Sequence, residues 1–174
     1  MIQPTHHSNR ILRPVRDWFV WLTVLFAIFL SVIPVGRLPG YPDWVALTLA
    51  FWCIREPFKI GMGAALLIGV VMDVSAASVM GQHSLAYVLL AFTTNGLSRR
   101  ILQFPLLQQA LQILPLLLAT QLIMLATRMG VGSEFPGASY FLESFSAALL
   151  WYPLTYLLLL PQYQPHEKDE NRPI

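Results

Sequence analysis

The chain has 174 residues, of which 56% are hydrophobic and only 11% charged, with a formal net charge of +2. A soluble domain carries about 25% charged residues, so this chain has too little polar surface to cover itself in water, and its mild charge balance points away from nucleic acid. An integral membrane protein fits, because lipid then solvates most of the surface.

In chain order, residues 1–17 are polar and carry Arg10, Arg13 and Arg16. The uncharged run Trp18 to Val35 follows. At ~1.5 Å per residue it nearly spans a hydrocarbon core. No small-residue cleavage site comes after it, so it is expected to be a retained first helix rather than a signal peptide. Trp44 to Ile54 is apolar but short, bounded by Pro42-Asp43 and Arg55-Glu56-Pro57. Ile60 to Val79 is a third segment with one acid, Asp73. Ser84 to Leu97 follows a tight connection and contains Asn95. Leu106 to Thr127 has Pro115 at its middle, and Tyr140 to Leu160 has Glu143 near its start and Pro153 inside. The polar stretch 161–174 is expected to be a tail. The domain layout is therefore a segment 1–17, a six-helix transmembrane domain 18–160 and a tail 161–174.

Charge placement supports six spans. With the N-terminus inside, one side collects Arg10, Arg13, Arg16, Arg55, Lys59, Arg99, Arg100, Lys168 and Arg172, and the other only Arg37 and Arg128. If the short second segment does not span, this separation is lost. Both termini are thus expected in the cytoplasm.

Asp73 is the most informative residue, since a carboxylate within a membrane helix costs about 2.5–3.5 kcal/mol on insertion scales. Gly61, Ala65, Gly69, Asp73 and Ala77 stand four apart and form one ridge of small residues that lets another backbone come close. Three roles are open for Asp73: a structural lock hydrogen-bonded to hydroxyls or amides, a ligand or proton site, or part of a partner interface. Ser75, Ser78, Thr93 and Thr94 are candidate donors, and His83 is expected in a loop at headgroup level. Arg128 is a possible partner for Glu143 or Asp73, and Asn95 a polar group beside any cavity. Gln108, Gln112 and Pro115 share one side of the fifth segment. Catalysis has little support. There is no G-x-S-x-G elbow, no H-E-x-x-H and no phosphate-binding loop. The lone Cys53 excludes an internal disulfide, and His6 and His7 sit in a polar tail. No cofactor or metal is expected.

The stretch Pro42 to Leu97 resembles the rod shape-determining protein MreD family. The resemblance rests on P-D-W-V-A-L-T-L-A-F-W at 42–52, R-E-P at 55–57, G-x-G at 61–63 and G-V-V-M-D at 69–73. Met80-Gly81 and LAYVLLAF at 85–92 complete it. It implies an all-α integral membrane protein of the bacterial inner membrane, similar in fold to the substrate-binding subunits of energy-coupling factor transporters. It implies a non-enzymatic component of the cell-wall elongation complex that pairs with MreC and, indirectly, with MreB filaments. A SEDS glycosyltransferase and a penicillin-binding transpeptidase belong to the same assembly. By the family pattern Gly69, Asp73 and Gly81 are structurally constrained, with Gly61 on the same ridge. The alternative, by fold analogy, is a small-molecule-binding or transport subunit. It would need polar groups converging on a cavity near Asp73 or Asn95.

Overall fold

A computed structural model describes residues 15–33 and 40–162. Arg10, Arg13, Arg37, Lys168, Arg172, His6 and His7 lie outside the described residues, as does most of the two terminal segments. Within the described residues every regular element is helical. There are six α-helices: α1 (Asp17–Val32), α2 (Trp44–Arg55), α3 (Met62–Ser75), α4 (Gln82–Ile101), α5 (Leu106–Gly130) and α6 (Leu142–Leu159). One 3-10 turn, Ala138–Phe141, leads into α6, and another, Leu160–Gln162, follows it.

The short apolar segment is the centre of the molecule. Every residue of α2 from Val45 to Ile54 is buried, as expected of a helix that is hydrophobic on all sides. It packs against α1, α4 and α6. Twelve residues make a helix of about 18 Å, but the neighbours that enclose it relieve it of matching a bilayer with its own length. Two stretches, Leu106–Gly130 and Ala138–Gln162, are long and apolar enough to cross a membrane, while α1, α2 and α3 are shorter. The remaining helices are arranged around this centre. α3 lies against α4, α4 against α5, and α5 against α6.

The outward surface is apolar. α1 buries Val20, Val24 and Ala27 inward and turns Leu22, Leu25, Phe26 and Phe29 outward. α3 likewise exposes Leu66, Leu67, Val70, Val71 and Val74. An apolar surface of this extent suits lipid and not water. Pro115 and Pro153 lie inside α5 and α6 on exposed faces, and each removes one helical hydrogen bond.

The helix ends differ from the sequence expectations in informative ways. α3 stops at Ser75 rather than Val79, because residues 76–81 form the turn into α4. Ala77 has φ 47° there and Gly81 φ 93°, both in the left-handed region where helices cannot continue. α4 begins at Gln82 and runs on through Arg99 and Arg100. Long basic side chains at a helix end suit the negative end of the helix dipole.

Candidate functional site

The turn between α3 and α4 gathers the strongest polar cluster in the described chain. Asp73 is 2% exposed, and its carboxylate accepts hydrogen bonds along both edges. Oδ1 accepts from the His83 backbone N–H at 2.8 Å and the Ser78 hydroxyl at 3.1 Å, and lies 2.8 Å from His83 Nδ1. Oδ2 accepts from the Gly81 N–H at 2.9 Å, the Ser84 hydroxyl at 2.9 Å and, more distantly, the Ser84 N–H at 3.4 Å.

These backbone donors are the unpaired amides of the first turn of α4. The residue preceding α4 is Gly81, which has no side chain to cap them. Asp73 therefore caps α4 from the end of α3, with its negative charge at the positive end of the α4 dipole. That arrangement offsets the desolvation of a buried carboxylate with charge-assisted bonds.

Gly69 brings the two backbones near enough for this. A Cβ at Gly69 would stand 2.4 Å from Ser84 Cα, 2.6 Å from Ser84 N and 2.9 Å from the His83 carbonyl carbon. Those atoms are backbone and cannot rotate away, so only glycine fits. One turn later on the same ridge Asp73 reaches the same N-terminus, and one turn earlier Ala65 is fully buried. Gly81 supplies the positive φ that aims its own N–H at Oδ2. The structure thus joins Gly69, Asp73 and Gly81 at one place. Gly61 is apart from them: it precedes α3, and a Cβ there would meet nothing within 4 Å.

The other candidates lie elsewhere. Of the four candidate hydroxyl donors, Ser78 alone reaches Asp73. Ser75 bonds the Val71 carbonyl, Thr93 those of Leu89 and Leu90, and Thr94 those of Leu90 and Ala91. His83 belongs to the first turn of α4, on Asp73, rather than to a loop. No ion pair joins Arg128 to Glu143 or to Asp73 among the described residues. Glu143 Oε2 instead accepts from Gln121 Nε2 at 2.9 Å, and Gln121 Oε1 accepts from the Ser144 hydroxyl at 2.5 Å. Asn95 Oδ1 is buried without a hydrogen-bond partner. Gln108 is exposed, while Gln109 and Gln121 are the buried glutamines of α5.

Ser84, Asp43 and Tyr87 escaped sequence reasoning, whereas the glutamines of the fifth segment, Gln121 among them, suggested interhelical hydrogen bonds. Asp43 caps α2 through the Ala46 N–H at 2.9 Å, and the buried Tyr87 hydroxyl donates to both its oxygens at 3.1 and 2.9 Å. Gln121 links α5 to Glu143, Ser144 and the Tyr140 carbonyl. An acid directly before an apolar run is a helix-start signal, so Asp43 was detectable as a cap, although its bond to Tyr87, 44 residues away, was not. Trp52 Nε1 donates to Thr23 Oγ1 at 2.9 Å and ties α2 to α1. The neighbouring pairs α1/α2, α2/α4, α3/α4 and α5/α6 thus each carry at least one polar link.

Inside the bundle, Asp43, Thr120, Gln121, Glu143 and Ser144 border a cavity of about 10 Å³, with Ala46, Leu117 and Ala147. That is room for about one water molecule. Among the described residues no group of three or more His, Cys, Asp or Glu side chains is placed to hold a metal ion.

The profile of the family described as rod shape-determining protein MreD matches residues 12–160. The rod shape-determining protein MreD of Haemophilus influenzae is 27% identical over 152 residues, covering 84% of this chain and 92% of the relative. No solved structure matches, so the expected likeness to energy-coupling factor subunits is not shown. The matched span takes in all six helices and the Asp73 junction, and the chain belongs to the MreD family of rod shape-determining membrane proteins.

Proposed function

We propose that the protein is a non-enzymatic, multi-pass component of the bacterial inner membrane that maintains rod shape by binding MreC within the wall-elongation assembly. In that role it supports lateral peptidoglycan synthesis by a SEDS glycosyltransferase and its penicillin-binding transpeptidase, with MreB filaments coupled indirectly. The observation that carries this reading is the use of the buried and half-buried polar side chains. Asp43, Asp73, Gln121 and Glu143 are engaged in helix caps and helix–helix links, which suits a rigid binding partner. The internal cavity of about 10 Å³ is far below the ~300–1,000 Å³ of small-molecule sites. That weighs against a small-molecule-binding or transport subunit.

Six spans with both termini in the cytoplasm complete the proposal, as a transmembrane domain 18–160 flanked by segments 1–17 and 161–174. Charge supports this orientation. Among the described residues Arg16, Arg55, Lys59, Arg99 and Arg100 lie at one end of the bundle with Asp17 and Glu56, whereas Arg128 is the basic residue at the other end, with Asp43, Asp73, Glu134 and Glu143. The test is depletion of the protein in its native rod-shaped host, with wall labelling. Rounded cells and lost lateral incorporation support the role, whereas rods of normal width with a defect in solute uptake contradict it.

A further inference from the structure

The end of the molecule opposite the Asp73 junction has a cleft that none of the helix–helix links occupies. It is an open space of about 270 Å³ between the first turns of α1 and the loop joining α2 to α3, lined by Asp17, Val20, Trp21, Phe58 and Lys59. Its base is polar. Lys59 Nζ lies 3.0 Å from Asp17 Oδ1 and also donates to the Val15 carbonyl. An ammonium has three donors, so one remains. The Asp17 side chain is 79% exposed, and its Oδ2 has no partner among the described residues. The walls are aromatic: Trp21 is 45% exposed and Phe58 is exposed over its entire surface. A phenyl ring held out in full between Pro57 and Lys59 contributes nothing to packing among the described residues.

We propose that this cleft binds the headgroup of a zwitterionic phospholipid of the ethanolamine type. The phosphate takes the spare Lys59 donor, the primary ammonium donates to Asp17, and Trp21 and Phe58 flank the glycerol region. Three observations lead there. The ion pair offers one donor and one acceptor side by side, and a phosphate and an ammonium joined by a two-carbon bridge match both. A glycerol headgroup with net negative charge satisfies Lys59 but meets the charge of Asp17, and a quaternary ammonium has no proton to donate to it. Indole and phenyl rings settle at headgroup level in membranes. Finally, Trp21 stands four and eight residues before Leu25 and Phe29, all exposed on one side of α1, so acyl chains have a surface to follow. The inference rests on membership of a membrane-protein family and not on the MreC complex.

The experiment uses the full-length protein, delipidated in detergent and titrated in native mass spectrometry. The probes are phosphatidylethanolamine, phosphatidylglycerol and phosphatidylcholine of equal chain length. The expected result is a one-to-one ethanolamine adduct that binds about tenfold more tightly than the other two. Asp17→Asn is expected to bring ethanolamine binding down to the choline level. Phe58→Ala is expected to weaken ethanolamine binding by about tenfold without moving the melting temperature. Equal binding of the three lipids, tighter binding of the glycerol headgroup or an unchanged ethanolamine preference in Asp17→Asn overturns the proposal. If Asp17→Asn unfolds because its tie to Lys59 is lost, Phe58→Ala decides alone, and unchanged binding there overturns it. Any of these failures leaves the wall-elongation role standing.

Discussion

Asp73 shows how a membrane protein can bury a carboxylate by hydrogen-bonding it to the end of a neighbouring helix. It satisfies the first amides of α4 and two hydroxyls, Ser78 and Ser84. Removing it leaves several buried donors without an acceptor, each costing about 1–3 kcal/mol. Asp73→Ala is therefore expected to destabilise the protein by about 3–5 kcal/mol, read as a lower melting temperature and a reduced folded yield from membranes. Asp73→Asn keeps one acceptor oxygen and should fall between the two. A wild-type melting temperature for Asp73→Ala would remove the capping role. The same turn carries a second local test. Ala77 has φ 47°, which costs an L-residue roughly 1–2 kcal/mol. Ala77→Gly should raise the melting temperature slightly, and a fall would show that the Ala77 side chain makes a contact worth more than the strain.

Helix packing turns on where small residues sit. Gly69 and Gly96 are both helical, yet alanine should act in opposite directions at the two sites. At Gly69 the new methyl strikes the backbone of Ser84 and His83, so α3 must move off α4 and take Asp73 with it. Gly69→Ala should cost about 1–3 kcal/mol or more. At Gly96 the methyl meets nothing, and Gly96→Ala should stabilise α4 by up to about 1 kcal/mol. Thermal unfolding of both variants in one detergent checks the sign, and a matching sign would mean that propensity and not close approach governs these helices. The link between α1 and α2 is weaker. Thr23→Val removes the acceptor of Trp52 Nε1 and should cost about 0.6 kcal/mol, the average for a hydrogen bond between membrane helices.

At the scale of the whole molecule, what was legible in the sequence follows from the range of each interaction. Apolar runs marked all six helices, and the four-residue spacing put Gly69 and Asp73 on one face, because both are local properties of a helix. The α3 end was misjudged by four residues because Ala76 to Val79 are as apolar as a helix, whereas the acceptor that fixes the turn is the Asp73 side chain. Asp43–Tyr87 and Gln121–Ser144 were hidden because they depend on the register of helices far apart in the chain. Arg128 looked like a partner for Glu143 by opposite charge, but Gln121 on the same helix is placed to reach it. The second segment was legible as apolar but too short to cross a bilayer by itself. Its burial on all sides explains how an apolar helix can be short. Charge asymmetry leads to a further expectation: a periplasmic alkaline phosphatase reporter inserted at Glu134 should be active, and one after Arg100 inactive. The reverse pattern would invert the proposed orientation.

The central claim is the binding of MreC within the wall-elongation assembly, and co-purification from native membranes in mild detergent tests it most directly. MreC is expected to be recovered together with wall-synthase subunits. Recovery of an ATPase module in their place would contradict it.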